Sequence, residues 1–207
     1  MLEDGSVYEG TARGDFKETA CEIVFNTSMT GYVEILTDPS YAGQGVVMTY
    51  PMIGNYGISR EDFESERLQP SAFIVHELSS DPSNFRCTDT IENLLKEYNI
   101  PCISGVDTRA VVKKLRESGT MRGVLTADIG DRERLMDVIK SFRQIDLVGS
   151  VTAKQTKVYG EENTGAEIAL MDFGTKRNII NNLVKRNCIF KFFFKIMLKS
   201  YVNCEKK

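Results

Sequence analysis

The first 80 residues are built from short runs rich in β-branched and aromatic residues, and this pattern most constrains the fold. Glycine, proline and aspartate separate the runs and predict turns between them. We predict strands at residues 6–12, 20–25, 32–36, 45–50 and 72–78. A chain with this many short strands must build a sheet and then cover it.

Helical signals then alternate with strands, which predicts an α/β fold. Asp89 and Glu92 resemble a capping box that opens a helix reaching about Tyr98. Asp107 and Thr108 can cap a second helix that ends before Gly119. This second helix spans 109–117, and the remaining predicted elements are strands at 102–106 and 121–127 and a third helix at 131–142.

A change in composition after residue 148 predicts a domain boundary. Residues 149–167 are rich in Thr, Lys, Gly, Glu and Asn and are interpreted as a linker. An apolar run at 168–173, a glycine turn and a helix at 176–186 predict the opening unit of a doubly wound domain. The predicted division is therefore 1–148, 149–167 and 168–207. Because the last part is too short to complete such a domain, we expect 168–173 to lack neighbouring strands.

The tail from about Cys188 mixes phenylalanine and lysine in neither a strand nor a helix pattern. A buried second strand accounts for residues 189–194 but not for residues 195–207. Composition also limits the functions available. The net charge of −3 gives no basic field for nucleic acid, and no apolar run reaches the ~20 residues of a membrane span.

The supply of reactive side chains is small. The chain has one histidine, His76, and five cysteines without clustered spacing, so we expect no metal site, no disulfide framework and a cytoplasmic location. Cys21 and Cys102 lie inside strand-like runs, where the expected role is that of a small buried hydrophobe. His76 has no acid partner nearby in sequence, so a hydrolase triad cannot be argued.

Three polar segments are candidate binding sites. Residues 26–41 concentrate hydroxyls and amides that can orient a small polar molecule, although a turn that serves only folding is the favoured interpretation. Residues 49–57 have two glycines near an asparagine, without the spacing of a phosphate loop, so a structural role in a tight backbone path is the favoured interpretation. The basic helix that starts at Arg109 is interpreted as a solvated face.

Taken together, four of these segments resemble the carbamoyl phosphate synthetase small subunit. They are VFNTSMTGY with EILTDPSY, TYPMIGNYG, GVDTRAVVKKLRESGTMRG and MDFGTKRNII, in the order of that family. The resemblance implies a layered β/β/α swivelling-type N-terminal domain. It also implies that residue 168 onward begins a flavodoxin-like class I glutamine amidotransferase domain, incomplete in this chain.

The resemblance also implies the chemistry. The family hydrolyses glutamine and passes ammonia to a large subunit, which uses ATP and Mg²⁺, for carbamoyl phosphate synthesis in arginine and pyrimidine biosynthesis. Ser40 of the DPSY motif matches a serine that contacts glutamine. The CLGHQ-like elbow with the nucleophile does not occur in the 207 residues, so we expect no catalytic residue, no metal and no cofactor in this chain.

Two hypotheses from different classes are compatible with these features. In the first, the chain is a piece of an enzyme subunit, and a shift of reading frame near Cys188 explains the tail. In the second, it is a non-catalytic module that docks on a synthetase large subunit. An α/β protein with an unrelated ligand is the third interpretation, which the four ordered segments disfavour.

Overall fold

The structure, a computed structural model, describes residues 1–14, 16–143 and 146–193. It divides into two compact units, Met1–Gln144 and Ile145–Lys207. Both combine strands with helices, so the predicted α/β class is confirmed. The β/β/α layering and the flavodoxin-like assignment stay predictions.

The first unit has eight strands and four helices. The strands are β1 (Thr11–Arg13), β2 (Thr19–Asn26), β3 (Gln44–Met48), β4 (Met52–Ile53), β5 (Ala72–Ile74), β6 (Glu77–Leu78), β7 (Cys102–Ser104) and β8 (Met121–Leu125). The helices are α1 (Tyr32–Thr37), α2 (Ile91–Glu97), α3 (Thr108–Ser118) and α4 (Arg132–Ser141). Short 3₁₀ turns lie at Pro39–Tyr41 and Arg60–Asp62.

Six of the strands form one sheet in the order β1-β7-β5-β3-β2-β8. The four inner strands run parallel, and the two edge strands β1 and β8 pair antiparallel with their neighbours. A parallel strand that is covered on both faces reads as a continuous apolar run. This is why β3 and β5 are almost entirely buried. The strands β4 and β6 form a separate two-stranded parallel sheet.

Helices cover both faces of the six-stranded sheet. On one face, α1 and α2 pack with Val46, Met48 and Phe73 in the larger core cluster. On the other, α3 packs through Val111 and Leu115 in a second cluster. A third cluster joins α4 to β8. The alternation of β3 side chains between the first two clusters is the period-2 geometry of a strand.

Several predicted boundaries are confirmed and one element is wrong. The strands at 20–25, 102–106 and 121–127 and the helices at 109–117 and 131–142 appear close to their predicted bounds. Residues 32–36, predicted as a strand, form α1 instead. The side chains of Tyr32, Val33, Ile35 and Leu36 are buried, which is the spacing of one helix face. The segment was predicted as a strand because β-branched and aromatic residues favour strands, although its buried positions follow the helical period.

Other differences are local. The run at 6–12 becomes a strand only at Thr11–Arg13, and 72–78 splits between β5 and β6, which belong to different sheets. The helix predicted from Asp89 begins at Ile91, and its cap is Thr90, whose Oγ1 accepts a hydrogen bond from the backbone N–H of Asn93. Asp107 and Asp131 cap α3 and α4 in the same way.

The described residues of the second unit, 146–193, form two helices and a three-stranded sheet. Its elements are α5 (Leu147–Val151), β9 (Lys157–Tyr159), β10 (Glu167–Met171), α6 (Arg177–Lys185) and β11 (Ile189–Phe193). The strand order is β10-β11-β9, with β10 parallel and β9 antiparallel to β11. The stretch predicted as a linker, 149–167, therefore holds the end of α5 and all of β9, although none of its residues is buried.

The strand suggested at 189–194 is confirmed as β11, up to Phe193. Phe190 and Phe192 are buried on one face of it, with ring centroids 4.9 Å apart, and Tyr159 of β9 packs edge-on against Phe192 at 5.5 Å. The expectation that 168–173 lacks a neighbouring strand is therefore wrong for one edge of β10, which pairs with β11. The rest of the predicted aberrant tail, 194–207, lies outside the described residues.

The two sheets should differ in local stability. The residues of β3 after Gln44 are all buried, whereas no residue of β10 is buried. Local opening has a low free energy where few apolar contacts must break. We expect amide hydrogens of β10 to exchange much faster than those of β3, measured by hydrogen exchange with mass spectrometry. Equal protection of the two strands would contradict this.

Candidate functional site

The sequence-predicted site residue, Ser40, stands on a single 3₁₀ turn after α1. Pro39 occupies the first position of the turn, where its fixed φ suits a helical start. The Asp38 carboxylate caps the turn and accepts a hydrogen bond from the backbone N–H of Ser40 at 2.9 Å. Thr37, Asp38 and Pro39 are buried, whereas Ser40 is exposed. The turn therefore presents one hydroxyl to solvent from a fixed base.

Thr37 holds the backbone before this turn in place through three hydrogen bonds. Its buried hydroxyl donates to the Val33 carbonyl oxygen at 2.8 Å and accepts from the backbone N–H of Glu64 at 2.9 Å. The hydroxyl of Ser65 donates to the Thr37 carbonyl oxygen at 2.6 Å. These bonds satisfy polar groups at the end of α1, where the last backbone carbonyl groups have no N–H donor within the helix. They also tie the segment around residue 64 to the Ser40 turn.

The start of α1 is capped by a tyrosine from another loop. The Tyr56 hydroxyl oxygen accepts hydrogen bonds from the backbone N–H groups of Gly31, at 2.6 Å, and Tyr32, at 3.1 Å. Gly31 has φ of 83° and offers no side-chain cap. A phenol oxygen thus takes the role that a Ser or Asp side chain usually fills.

Tyr32 in turn binds the loop that carries Tyr56. The Tyr32 hydroxyl donates to the Gly57 carbonyl oxygen at 2.7 Å, and the two rings stack with centroids 4.1 Å apart. Burial raises the pKa of the Tyr32 and Tyr56 phenols, so both stay protonated at neutral pH. The loops predicted separately at 26–41 and 49–57 are therefore one interlocked platform, which we call the tyrosine platform.

Gly57 must be a glycine for this lock to close. Its φ is 68°, and a Cβ built there would lie 2.2 Å from the Sγ of Cys87. A side chain at this position would push the loop 85–89 away from the platform. The structural interpretation of the 49–57 glycines is thus supported.

Asn26 completes the platform at the end of β2. Its Nδ2 donates to the Tyr41 hydroxyl at 2.8 Å, and its Oδ1 accepts from the backbone N–H of Ser28 at 2.7 Å. Much of the polarity of 26–41 is thus used inside the fold, as the favoured interpretation expects. Ser40 stays exposed, as do Thr27, Ser28 and Thr30 of the same segment.

The remaining candidates lie elsewhere. His76 is exposed, and its Nδ1 lies 3.0 Å from the Val106 carbonyl oxygen. Cys21 and Cys102 are fully buried, as predicted, and burial raises the pKa of both thiols to about 12. On the basic helix, Lys114 pairs with Asp4 at 3.0 Å while Arg109 stays exposed. None of these residues belongs to the tyrosine platform.

Sequence reasoning missed the partners that hold the platform. Tyr56 lies 24 residues from Tyr32, and Glu64 lies 27 residues from Thr37. No local periodicity marks such pairs. The part of the chain that the structure describes contains no group of three or more His, Cys, Asp or Glu able to hold a metal ion. It also contains no helix of the length and apolarity that a bilayer crossing requires.

Comparisons with known proteins agree on one family. Residues 1–125 match the family model described as "Carbamoyl-phosphate synthase small chain, CPSase domain". Proteins named carbamoyl phosphate synthase small chain are similar over most of this chain. The relative from Clostridium perfringens is 47% identical over 199 residues, which cover 94% of this chain and 56% of the relative.

Two further relatives give the same result. The protein from Listeria monocytogenes is 44% identical over 189 residues, covering 91% of this chain and 52% of its own length. The protein from Archaeoglobus fulgidus is 47% identical over 190 residues, covering 89% and 52%. The chain therefore spans about half the length of the curated relatives it matches.

The Tyr56 cap is testable by removing one oxygen atom. Tyr56→Phe leaves the backbone N–H groups of Gly31 and Tyr32 without their acceptor, which should lower the free energy of unfolding by about 1–3 kcal/mol. Tyr50→Phe is the matched control, since Tyr50 packs against the same core cluster without capping α1. Urea unfolding of both variants decides this, and equal losses would contradict the cap.

Thiol reactivity tests the burial of the strand cysteines. A thiol whose pKa is about 12 is almost entirely protonated at pH 8, and the thiolate is the reactive form. We expect iodoacetamide at pH 8 to modify Cys87, which is half-buried, well before Cys21 and Cys102. Peptide mapping by mass spectrometry measures the order. Early modification of Cys21 in the folded chain would contradict the structure.

Proposed function

This chain belongs to the carbamoyl phosphate synthase small chain family, and from that membership we propose that it is the Ser40-bearing half of a glutamine-dependent small chain. In this proposal the complete small chain hydrolyses glutamine to glutamate and ammonia. A large chain then uses the ammonia, with ATP and Mg²⁺, to make carbamoyl phosphate. We propose that this takes place in the cytoplasm and serves arginine and pyrimidine synthesis.

The observation that carries the proposal is the presentation of Ser40. A serine hydroxyl can both donate and accept a hydrogen bond, which suits the amide and carboxylate groups of glutamine. Ser40 is exposed while its neighbours Asp38 and Pro39 are buried, so the hydroxyl is available from a backbone that does not need to rearrange. Pre-organisation of this kind lowers the entropic cost of binding.

Ser40 alone is not a glutamine pocket. One neutral hydrogen bond contributes a net of about 0.5–1.5 kcal/mol, which is far below the affinity of a specific site. We therefore propose that the other glutamine contacts come from the half of the small chain that the relatives have and that these 207 residues do not match.

The two strand cysteines, Cys21 and Cys102, support the same division of labour. Amide hydrolysis through a thioester needs a thiolate, a base and an oxyanion site. Cys21 and Cys102 are buried with their pKa raised to about 12, so neither suits nucleophilic attack at neutral pH. In the proposal the nucleophile and its base belong to the unmatched half, and these 207 residues have no catalytic residue.

A second candidate function is a non-catalytic module that docks on a large chain. The burial of both strand thiols favours it, because the module then needs no reactive group of its own. The two candidates differ in one respect: whether the chain hydrolyses glutamine when it is joined to the half of a relative that it does not match.

Activity assays separate these possibilities. We expect the 207-residue chain to release no ammonia from glutamine above background, and Ser40→Ala to change nothing measurable in it. An extended small chain, which also carries the unmatched half of a relative, should release ammonia and serves as the positive control.

Two results would overturn the proposal. Robust ammonia release by the 207-residue chain, lost on Cys188→Ala or Cys204→Ala, would place the nucleophile in this chain. In the extended chain, Ser40→Ala should raise the KM for glutamine. Full activity with an unchanged KM in this variant would show that Ser40 does not contact glutamine.

A further inference from the structure

Phe85 is the most exposed large hydrophobic side chain of the described first unit. Its exposed fraction is 97%, against 69% for Met29 and 40% for Met52. An isolated exposed phenylalanine forfeits the stabilisation that burial of an aromatic ring gives. A phenylalanine on a flexible loop can turn its ring onto the protein surface, whereas a ring on a rigid turn stays exposed.

The backbone that carries Phe85 is a closed turn. The backbone N–H of Cys87 donates to the Asn84 carbonyl oxygen at 3.0 Å, which closes a β-turn with Phe85 at its second position. The Asn84 side chain accepts from the backbone N–H of Arg86 at 2.8 Å. Asparagine at the first position of a turn stabilises it in this way.

Both ends of the turn are held by backbone hydrogen bonds to Asn55 and Ile58, at the end of the second platform loop. The backbone N–H of Ser83 donates to the Asn55 carbonyl oxygen at 2.9 Å, and that of Thr88 donates to the Ile58 carbonyl oxygen at 2.8 Å. The ring of Phe85 therefore stands on a turn that is held at both ends.

Arg86 anchors the side of the turn. Its guanidinium group contacts Asp62 at 2.7 Å, Glu61 at 3.3 Å and the Ser59 hydroxyl at 3.3 Å. These partners belong to a different loop, so the arginine side chain is held by contacts within the protein while the adjacent phenylalanine is not. The arrangement presents an aromatic ring at little conformational cost, as binding hot spots do.

The surroundings of Phe85 are acidic. The segments 60–67 and 77–92 contain the turn and the Arg86 partners Glu61 and Asp62. They hold eight carboxylates, of which only Glu64 is buried, against three arginines, whereas the whole chain has a net charge of only −3. Two copies of this surface would repel each other in an isologous dimer, where the same patch meets itself. A partner with a basic rim would be attracted.

Resting on the proposed function, we infer that Phe85 is the aromatic anchor through which this chain docks on the synthase large chain. The ring enters an apolar socket on the large chain, and lysines or arginines around that socket face the carboxylates of 60–67 and 77–92. The small-chain membership supplies the partner, and the exposed ring and the acidic rim supply the chemistry of the contact.

The test is a binding titration between the 207-residue chain and the purified large chain of the same organism's synthase. Phe85→Ala should raise the Kd at least tenfold, which corresponds to about 1.4 kcal/mol. Asp81→Lys should weaken binding several-fold and reduce its dependence on salt. Glu117→Lys, an exposed carboxylate on α3, is the matched charge control and should leave the Kd unchanged.

Each other outcome overturns the inference in a recognisable way. Binding of the wild type that Phe85→Ala leaves intact removes the anchor but keeps the proposed function. No binding of the wild type at micromolar concentrations removes both. Sedimentation that shows a dimer lost in Phe85→Ala assigns the ring to a second copy. A fall in Tm on Phe85→Ala seen only in the extended small chain assigns it to the unmatched half.

Discussion

The reciprocal contact between Tyr32 and Tyr56 is the interaction on which the presentation of Ser40 depends. Helix α1 has six residues, far fewer than an isolated helix needs to persist in water. The Tyr56 oxygen supplies its missing N-terminal acceptor, and the Tyr32 hydroxyl binds the Gly57 carbonyl in return. Because Ser40 stands directly after α1, the position of its hydroxyl is set by a contact at the opposite end of the helix.

The polar turn around Ser40 serves folding and, in our proposal, recognition of glutamine. Asn26 and Thr37 use their side chains in internal hydrogen bonds. Asp38 uses its carboxylate to hold the backbone of the Ser40 turn. These bonds fix the backbone of the turn and so give the exposed Ser40 side chain a defined base. The interpretation as a folding turn and the interpretation as a binding site are thus two descriptions of one structure.

The central strands and the longer helices were predictable, because continuous apolar runs and Asp caps are local signals. Residues 32–36 misled the prediction, since their β-branched and aromatic side chains suit a strand while their burial follows a helix. Strand β9 escaped notice because it depends on pairing with β11, about 30 residues away. Ser40 was identified from resemblance to a family, and the tyrosines that support it were invisible, since no local pattern links residues 32 and 56.

We propose that the tyrosine platform holds Ser40 in position for glutamine. A double-mutant cycle on the KM for glutamine tests it, using Tyr56→Phe and Ser40→Ala in the extended small chain assembled with the large chain. We expect Tyr56→Phe to raise the KM when Ser40 is present and to add little when residue 40 is alanine. Fully additive effects of the two substitutions would contradict it.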